Sequence, residues 1–338
     1  MGSPLPGGTR ICVMRLLIVS DTFTPDVNGV ARTLQHWASG MCARGHRVDV
    51  VTTTPPPDFS EPYERHVVIS VPLPGYNSIR VGFAGMAWFQ NLFVHTHADV
   101  LYVATETPMG VSAIWAAKRA GIPVVSGFHT NFHTYLKNYH LTGLQVAAET
   151  LLSSIHNQTF RTLVPSHDTA DMLRQMGVTE VGLLGRGVDT DIFHPDARDG
   201  ELRKTWGCDD GTPVAIHVGR LAEEKNLPLL ERAFAAFLQL HPRGRCVVVG
   251  DGPSGERLRS AHPDWIFAGM RSGADLARHY ASGDLFVFPS LSETFGNVVT
   301  EALASGLVVV AHDYAAARVH IRHQVSGFLA PVGDEDAF

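Results

Sequence analysis

Short apolar runs bounded by turn residues alternate along the chain with stretches of helical period, and the pattern occurs twice. Leu16-Leu17-Ile18-Val19 stops at Ser20-Asp21, as a buried parallel strand does. A loop with Pro25 and Gly29 follows, then a helical stretch from Val30 to Arg44 closed by Gly45. Val48-Asp49-Val50-Val51 reads as a second strand, ended by Pro55-Pro56-Pro57. Further strands are expected at Val67 to Val71, Val100 to Val103, Val124 to Ser126 and Thr162 to Val164, with helices between several of them, Gly110 to Ala120 among these. The second round predicts strands at Val214 to Val218, Cys246 to Val249, Trp265 to Ala268, Leu285 to Phe288 and Val308 to Ala311. Helices at Pro228 to Leu240, Ala274 to Ser282 and Val298 to Ser305 separate them.

Strands alternating with helices predict an α/β protein with parallel sheets covered on both faces. The joint is expected between Thr179 and Pro195, giving a first Rossmann-like domain over 14–181 and a second over 182–338. Ligands of such sheets sit beyond the carboxyl ends of the strands. Two facing domains would bring both sets of loops to one cleft.

The totals agree with two domains: 338 residues, 45% of them hydrophobic, suffice for two cores. Cys12, Cys42, Cys208 and Cys246 lie far apart without metal-ligand spacing and are expected to be reduced and mostly buried, as in a cytoplasmic protein. The net charge of -6 argues against general nucleic-acid binding. Residues 1–165 hold 11 Lys/Arg and 9 Asp/Glu, residues 166–338 hold 16 and 24, so the halves carry +2 and -8. The basic first half suits contact with an anionic inner membrane face. No run approaches the roughly 18 apolar residues of a membrane span. Met1 to Cys12 lacks the apolar region of a signal peptide, and Pro6 stands where a myristoylation signal wants Ser or Thr; Met14 is the expected natural start, since a buried-strand pattern begins directly after it.

The richest segment is Ser292-Glu293-Thr294-Phe295-Gly296-Asn297, continued by Val298-Val299-Thr300-Glu301-Ala302. It follows a strand and opens a helix, where the first-turn amides of Phe295, Gly296 and Asn297 form a diphosphate site and Gly296 admits an anion close to the backbone. Glu293 and Glu301 are eight apart, about 80° around a helix, so they do not share a face. Glu293 is expected on the loop at a sugar and Glu301 in the helix at a ribose, against the plainer reading of a capping acid and a surface Glu. A second strand-to-helix segment, Gly219-Arg220-Leu221-Ala222-Glu223-Glu224-Lys225-Asn226, offers Arg220 and Lys225 to phosphate oxygens, or else is a solvated loop.

Together these segments resemble the retaining transferases of glycosyltransferase family 4, which have the GT-B fold: Glu-x7-Glu after a strand, with Gly-Arg-x4-Lys some seventy residues earlier. Asp21 to Ala31 is similar to that family's first glycine loop, and Gly127-Phe128-His129-Thr130-Asn131-Phe132-His133 and Gly187-Val188-Asp189 with Phe193 resemble further motifs, so the likeness runs from Met14 to Phe338. The resemblance implies roles. Gly29 would approach the diphosphate, and His129 would sit beside the transferred sugar. Arg220 and Lys225 would neutralise the diphosphate, and the backbone of Phe295, Gly296 and Asn297 would hold phosphate. Glu293 would contact sugar hydroxyls, Glu301 the ribose, and the loop with Met270 and Arg271 the nucleobase. It implies front-face attack with retention and neither metal nor cofactor. The donor implied is a nucleotide diphosphate-sugar, GDP-mannose before a UDP-sugar as in sulfolipid synthases, and the acceptor is a lipid or glycan. The family's chain continues into a helix crossing back onto the first domain, which this sequence lacks.

Other signals weigh less. Gly250-Asp251-Gly252-Pro253-Ser254-Gly255 matches a dinucleotide fingerprint, but Pro253 interrupts the turn and no strand ends in an acid about 20 residues on. Asp189-Thr190-Asp191 mimics a metal-binding pair and reads as a turn. His129 and His133 are four apart without a supporting ligand cluster, and His95, His97, His133 and His140 read as surface or hydrogen-bonded residues. Val81 to Val94, with Trp88, Phe89 and Phe93, reads as core before lipid-facing surface. The competing functions are another GT-B sugar-nucleotide enzyme, such as an epimerase or phosphorylase, and a non-catalytic sugar-nucleotide sensor.

Overall fold

A computed structural model describes residues 12–338 except 27, 59, 74–75 and 130–141. The leader, Val27 of the first loop, Thr130 to His133 and His140 therefore lie outside the described residues. The chain divides into two compact units, the first ending at Leu184 and the second beginning at Gly185, with Pro165–Thr169 counted to the second.

The first unit carries β1 (Arg15–Ser20), β2 (Arg47–Thr52), β3 (Glu64–Val67), β4 (Ile69–Leu73), β5 (Tyr76–Phe83), β6 (Val100–Val103), β7 (Val124–Gly127), β8 (Arg161–Val164) and β9 (Val181–Leu183). Seven of these form a parallel sheet in the order β3-β2-β1-β6-β7-β8-β9, while β4 and β5 make a separate antiparallel hairpin. Its helices are α1 (Gly29–Ala43), α2 (Met86–Thr96), α3 (Pro108–Ala120) and α4 (Thr142–His156), followed along the chain by α5 (His167–Gln175). The second unit carries β10 (Val214–Val218), β11 (Arg245–Val249), β12 (Ile266–Gly269), β13 (Leu285–Phe288), β14 (Val308–His312) and β15 (Gly327–Ala330), all parallel in the order β12-β11-β10-β13-β14-β15. Around them run α6 (Gly200–Thr205), α7 (Leu227–Leu240), α8 (Gly255–Ala261), α9 (Gly273–Ala281), α10 (Asn297–Ala304) and α11 (Ala315–His320).

Alternation along each strand explains the apolar runs. Leu17 and Val19 pack on one face with Phe89, Phe93 and Ile114, and Ile18 packs on the other with Leu34 and Ala38. In the second unit Val214, Ile216 and Val218 meet Tyr280 and Val299, whereas Ala215 meets Leu230 and Phe234 of α7. The central strands β1, β6, β10, β11 and β13 are buried on both faces, so they show no regular polar alternation.

Local chemistry sets the ends. The Asn28 side chain accepts from the Ala31 amide at 2.8 Å to start α1, and Gly45, at φ 85°, follows its end. Pro108 occupies the first turn of α3 behind Thr107, and Gly121 closes that helix in the left-handed region. Asp21, at the end of β1, is buried and accepts from the hydroxyls of Thr105 and Thr107 and the amide of Gly82, each at 2.5 Å. One carboxylate thus ties β1 to β5 and to the start of α3. Burial raises its pKa, and those hydrogen bonds act against the rise.

The expected strand from Val67 to Val71 is two strands: β3 pairs with β2, and the chain turns at Val68 to start the hairpin. The stretch from Val81 to Val94 is core only in part. Phe89, Leu92 and Phe93 are buried, while Phe83, Trp88 and Val94 are exposed, because α2 packs one side only against α3. Of the cysteines, Cys208 and Cys246 are buried, Cys42 is half-buried and Cys12 is exposed.

The glycine-rich turn after β11 has a packing role. A Cβ on Gly250, at φ 132°, would lie 1.9 Å from the Gly219 carbonyl oxygen, and one on Gly252 would lie 2.5 Å from that of Leu221. The amide of Leu221 donates to Asp251 O at 3.0 Å, and that of Ser254 to Leu221 O at 2.9 Å. Two backbones lie in contact, and the turn after β11 moulds the one after β10. Gly250→Ala is expected to cost about 3 kcal/mol or more through this clash. Gly45→Ala, with nothing within 4 Å, is expected to cost only about 1 kcal/mol. Urea unfolding of both variants checks the contrast, and equal losses would count against it.

Candidate active site

In the second sheet the chain leaves β10 toward β11 and β12 on one side and returns at β13 to continue toward β14 and β15 on the other. The order therefore reverses between β10 and β13, which pair directly through Ala215 with Leu285 and Ile216 with Phe286. The turns leaving these strands, Gly219 to Lys225 and Pro289 to Gly296, stand side by side at one edge of the sheet. These are the two segments singled out by their residues.

Lys225 Nζ and a Glu293 carboxylate oxygen are in direct contact. The same oxygen accepts from Ser290 Oγ at 2.8 Å, the Glu293 amide donates to the Tyr314 hydroxyl, and Ser292 Oγ donates to Glu224 O at 2.9 Å. Burial pushes the Glu293 pKa up, but the Lys225 ammonium, the Ser290 hydroxyl and the Arg186 charge more than offset it, leaving the carboxyl below its ordinary range. Gly296 caps α10 at φ 92° without a side-chain hydrogen bond, which leaves the helix start to its backbone donors. Phe295 is buried, its carbonyl accepting from the Ala316 amide at 2.8 Å, and Arg186 stands over its ring at 5.9 Å. Arg186 Nη1 also donates to Asn297 Oδ1 at 3.4 Å. Arg220 is half-exposed, 3.7 Å from Glu224.

Glu301 is not a surface acid. It is 5% exposed, one turn inside α10, and accepts from the Tyr280 hydroxyl at 3.0 Å. Met270 and Arg271 follow β12, the outer strand, at the same sheet edge but two strands from β10, and both are exposed. Arg271 donates to Ala268 O at 2.9 Å and pairs with Asp275 at 3.1 Å. In the first unit Gly29 is the exposed first residue of α1. His129 lies just past β7, buried, its Nε2 2.8 Å from the Tyr102 hydroxyl and its ring 6.0 Å from that of Trp37.

Asp189 and Asp191 close a turn, with Asp189 Oδ1 accepting from the Asp191 amide at 3.1 Å. Among the described residues the one group with metal-ligand spacing is Asp49, Glu64 and His66, on β2 and β3 of the first unit. None of these three had been singled out by motif.

Sequence reasoning also missed Arg186, Tyr314 and His217. Arg186 directly precedes the quoted Gly187-Val188-Asp189, and His217 is the one polar residue of the apolar run Val214 to Val218. His217 is wholly buried, with Nδ1 3.0 Å from the Val287 carbonyl oxygen. Burial first, and then the Lys225 charge, lower its pKa to about 4, against the opposing pull of the Val287 carbonyl and Glu293.

A sequence profile described as Glycosyltransferase Family 4 matches residues 27–192, and one described as Glycosyl transferases group 1 matches residues 212–338. A GDP-mannose-dependent alpha-mannosyltransferase of Mycobacterium tuberculosis is 35% identical over 329 residues, spanning 96% of this chain and 85% of that protein. The sulfoquinovosyl transferase SQD2 of Arabidopsis thaliana is 32% identical over 84% of this chain and 56% of its own length. Among solved structures, sucrose-phosphate synthase from Thermosynechococcus elongatus matches with a TM-score of 0.76 at 18% identity, over 96% of this chain and 87% of that one. The fold is GT-B, as expected.

Two predictions follow from the burial of Glu301 and His217. Glu301→Ala removes an acceptor of the buried Tyr280 hydroxyl, so it should lower the stability of the free protein by about 1 to 3 kcal/mol, while Glu301→Gln should lose less; equal melting temperatures for all three proteins would contradict this. His217 has a folded pKa of about 4 below its unfolded value near 6.5. Its contribution is therefore complete above pH 6.5 and lost as pH falls toward 4. His217→Phe should flatten the acid side of a stability-against-pH curve measured with urea, and an unchanged slope between pH 6.5 and 4 would refute it.

Proposed function

The chain belongs to glycosyltransferase family 4 and is a glycosyltransferase of GT-B type, and from that premise we propose that it transfers mannose from GDP-mannose to a lipid or glycan acceptor, with retention and without a metal ion. The observation that carries this reading is the contact of Lys225 with Glu293 across the strand-order reversal. It sets a phosphate-seeking cation, a carboxylate able to accept from sugar hydroxyls and an uncapped helix start within one pair of neighbouring turns.

In the proposed reaction the bond between the sugar's anomeric carbon and the β-phosphate oxygen breaks, and its electron pair goes to the phosphate. Charge grows on the β-phosphate, where Lys225, Arg220 and the amides from Phe295 to Asn297 stabilise it in place of a metal. The acceptor oxygen attacks from the face the leaving group vacates, and its proton passes to the leaving phosphate oxygen. No second carboxylate is required as acid or base, unlike glycoside hydrolysis. Glu301 accepts from the ribose hydroxyls, Met270 and Arg271 meet the base, and Gly29 and His129 of the first unit serve the diphosphate and the sugar. GDP-mannose as donor is supported by the 35% identity to the mycobacterial mannosyltransferase. A lipid acceptor and contact with a membrane face are supported by the exposed Ile69, Val71, Phe83, Met86, Trp88 and Val94 on the hairpin and α2. No helix among the described residues is long and apolar enough to cross a membrane.

Nucleotide affinity and turnover should separate. In EDTA, GDP should raise the melting temperature more than UDP or ADP. His129→Ala should keep that GDP shift yet lower turnover by about a hundredfold, the loss typical of one preorganised polar group. The product should keep the α configuration. A requirement for Mg²⁺ or Mn²⁺, an inverted product, or normal turnover by His129→Ala would overturn the proposal in that respect.

A further inference from the structure

His217 takes no part in the reaction as just drawn, yet it sits beneath it. It is the fourth residue of β10, and the loop bearing Arg220 and Lys225 starts two residues later. Its ring is wholly buried and lies nearly parallel to that of Phe288, with centroids 6.4 Å apart and planes inclined at 22°. Nδ1 lies 3.0 Å from the Val287 carbonyl oxygen. A carbonyl only accepts, so Nδ1 carries the proton and Nε2 the lone pair.

Nε2 is buried and has no hydrogen-bond partner among the described residues. An unmet buried acceptor is costly, and a Phe or Leu would fill the same space without one. Its surroundings indicate its use. A Cβ on Gly219 would lie 3.4 Å from Nε2, so this nitrogen faces the first residue of the phosphate loop. The charged groups whose fields reach the ring are Lys225 and Glu293. A fixed lone pair there suits an N–H or O–H donor, and Lys225 brings three protons on a flexible stem.

We propose that His217 is a positioning residue for Lys225: when a diphosphate draws the ammonium away from Glu293, Nε2 of His217 accepts a hydrogen bond from one of its N–H groups and holds the ammonium beneath the loop, leaving another N–H for the β-phosphate. Glu293 is then released to accept from the sugar. The inference rests on the reading of Lys225 as a diphosphate ligand. It adds a relay in which the lysine exchanges one fixed acceptor for another.

The test uses the full chain labelled with [¹⁵N]histidine, with GDP and GMP as probes and UDP in parallel. In the free protein the His217 signals should be those of the neutral Nδ1–H tautomer. GDP should shift the Nε2 signal in the direction of an accepted hydrogen bond; GMP, which has no β-phosphate, should not, and Lys225→Met should abolish the shift. His217→Phe should weaken GDP binding about tenfold and leave GMP binding unchanged, and His217→Gln, which restores an acceptor, should recover part of the loss. With donor substrate, His217→Phe should raise KM more than it lowers kcat. An Nε2 signal that stays put in a wild-type protein that binds GDP or UDP overturns the inference alone, as does wild-type GDP affinity in His217→Phe. Failure of the wild type to bind any of these diphosphates removes the reading of the site and the inference with it. Should His217→Phe fail to fold, the spectra of wild type and Lys225→Met decide.

Discussion

Parallel strands send every strand-to-helix turn to the same edge of a sheet, and packed neighbours leave little space between those turns. Space opens where two adjacent strands send their chains in opposite directions. In the second unit that place lies between β10 and β13, where the two turns with the charged residues stand next to each other. The turn after β10 brings cations, and the turn after β13 brings a carboxylate and an uncapped helix start. Neighbouring turns support them: Tyr314 meets the Glu293 amide, and the Gly250 to Gly252 backbone lies against Gly219 to Leu221.

The first unit has the same strand logic, with the reversal between β1 and β6. There the buried end of β1 serves as a clamp. Asp21 gathers an amide from β5 and two hydroxyls from the turn before α3, so the turn leading to Gly29 departs from a rigid point.

Much of this was legible in the residues. The strands at Val214 to Val218 and Leu285 to Phe288 fall where the apolar runs placed them, because a strand buried on both faces has a length and composition that few other segments share. The loops with Arg220, Lys225, Glu293 and Gly296 were visible because turn chemistry is local. What was hidden depends on pairing across long separations. Glu301 gave its angle on the helix but not the Tyr280 hydroxyl arriving from α9. Arg186 reaches Asn297 over 111 positions of sequence. His217 looked like one residue of a strand, since nothing in the run itself tells that its second nitrogen faces a loop. The split at Val68 and the hairpin after it were lost because Val67 to Val71 is continuous in hydrophobicity while the chain changes sheets within it.

The Lys225 and Glu293 contact bears on which anions the two turns would take up. A carboxylate tethered beside the ammonium acts as an intramolecular competitor, present at an effective concentration of about millimolar or above, whereas inorganic phosphate, acetate or a free nucleoside monophosphate must arrive from solution. Small anions that reach only the lysine displace the tether poorly. In the proposed reaction, a ligand that spans both turns would meet the ammonium with its diphosphate and give the displaced carboxylate a new set of hydroxyl donors in the same event. On that proposal, discrimination against abundant single phosphates would be set by self-occupancy of the site rather than by its shape.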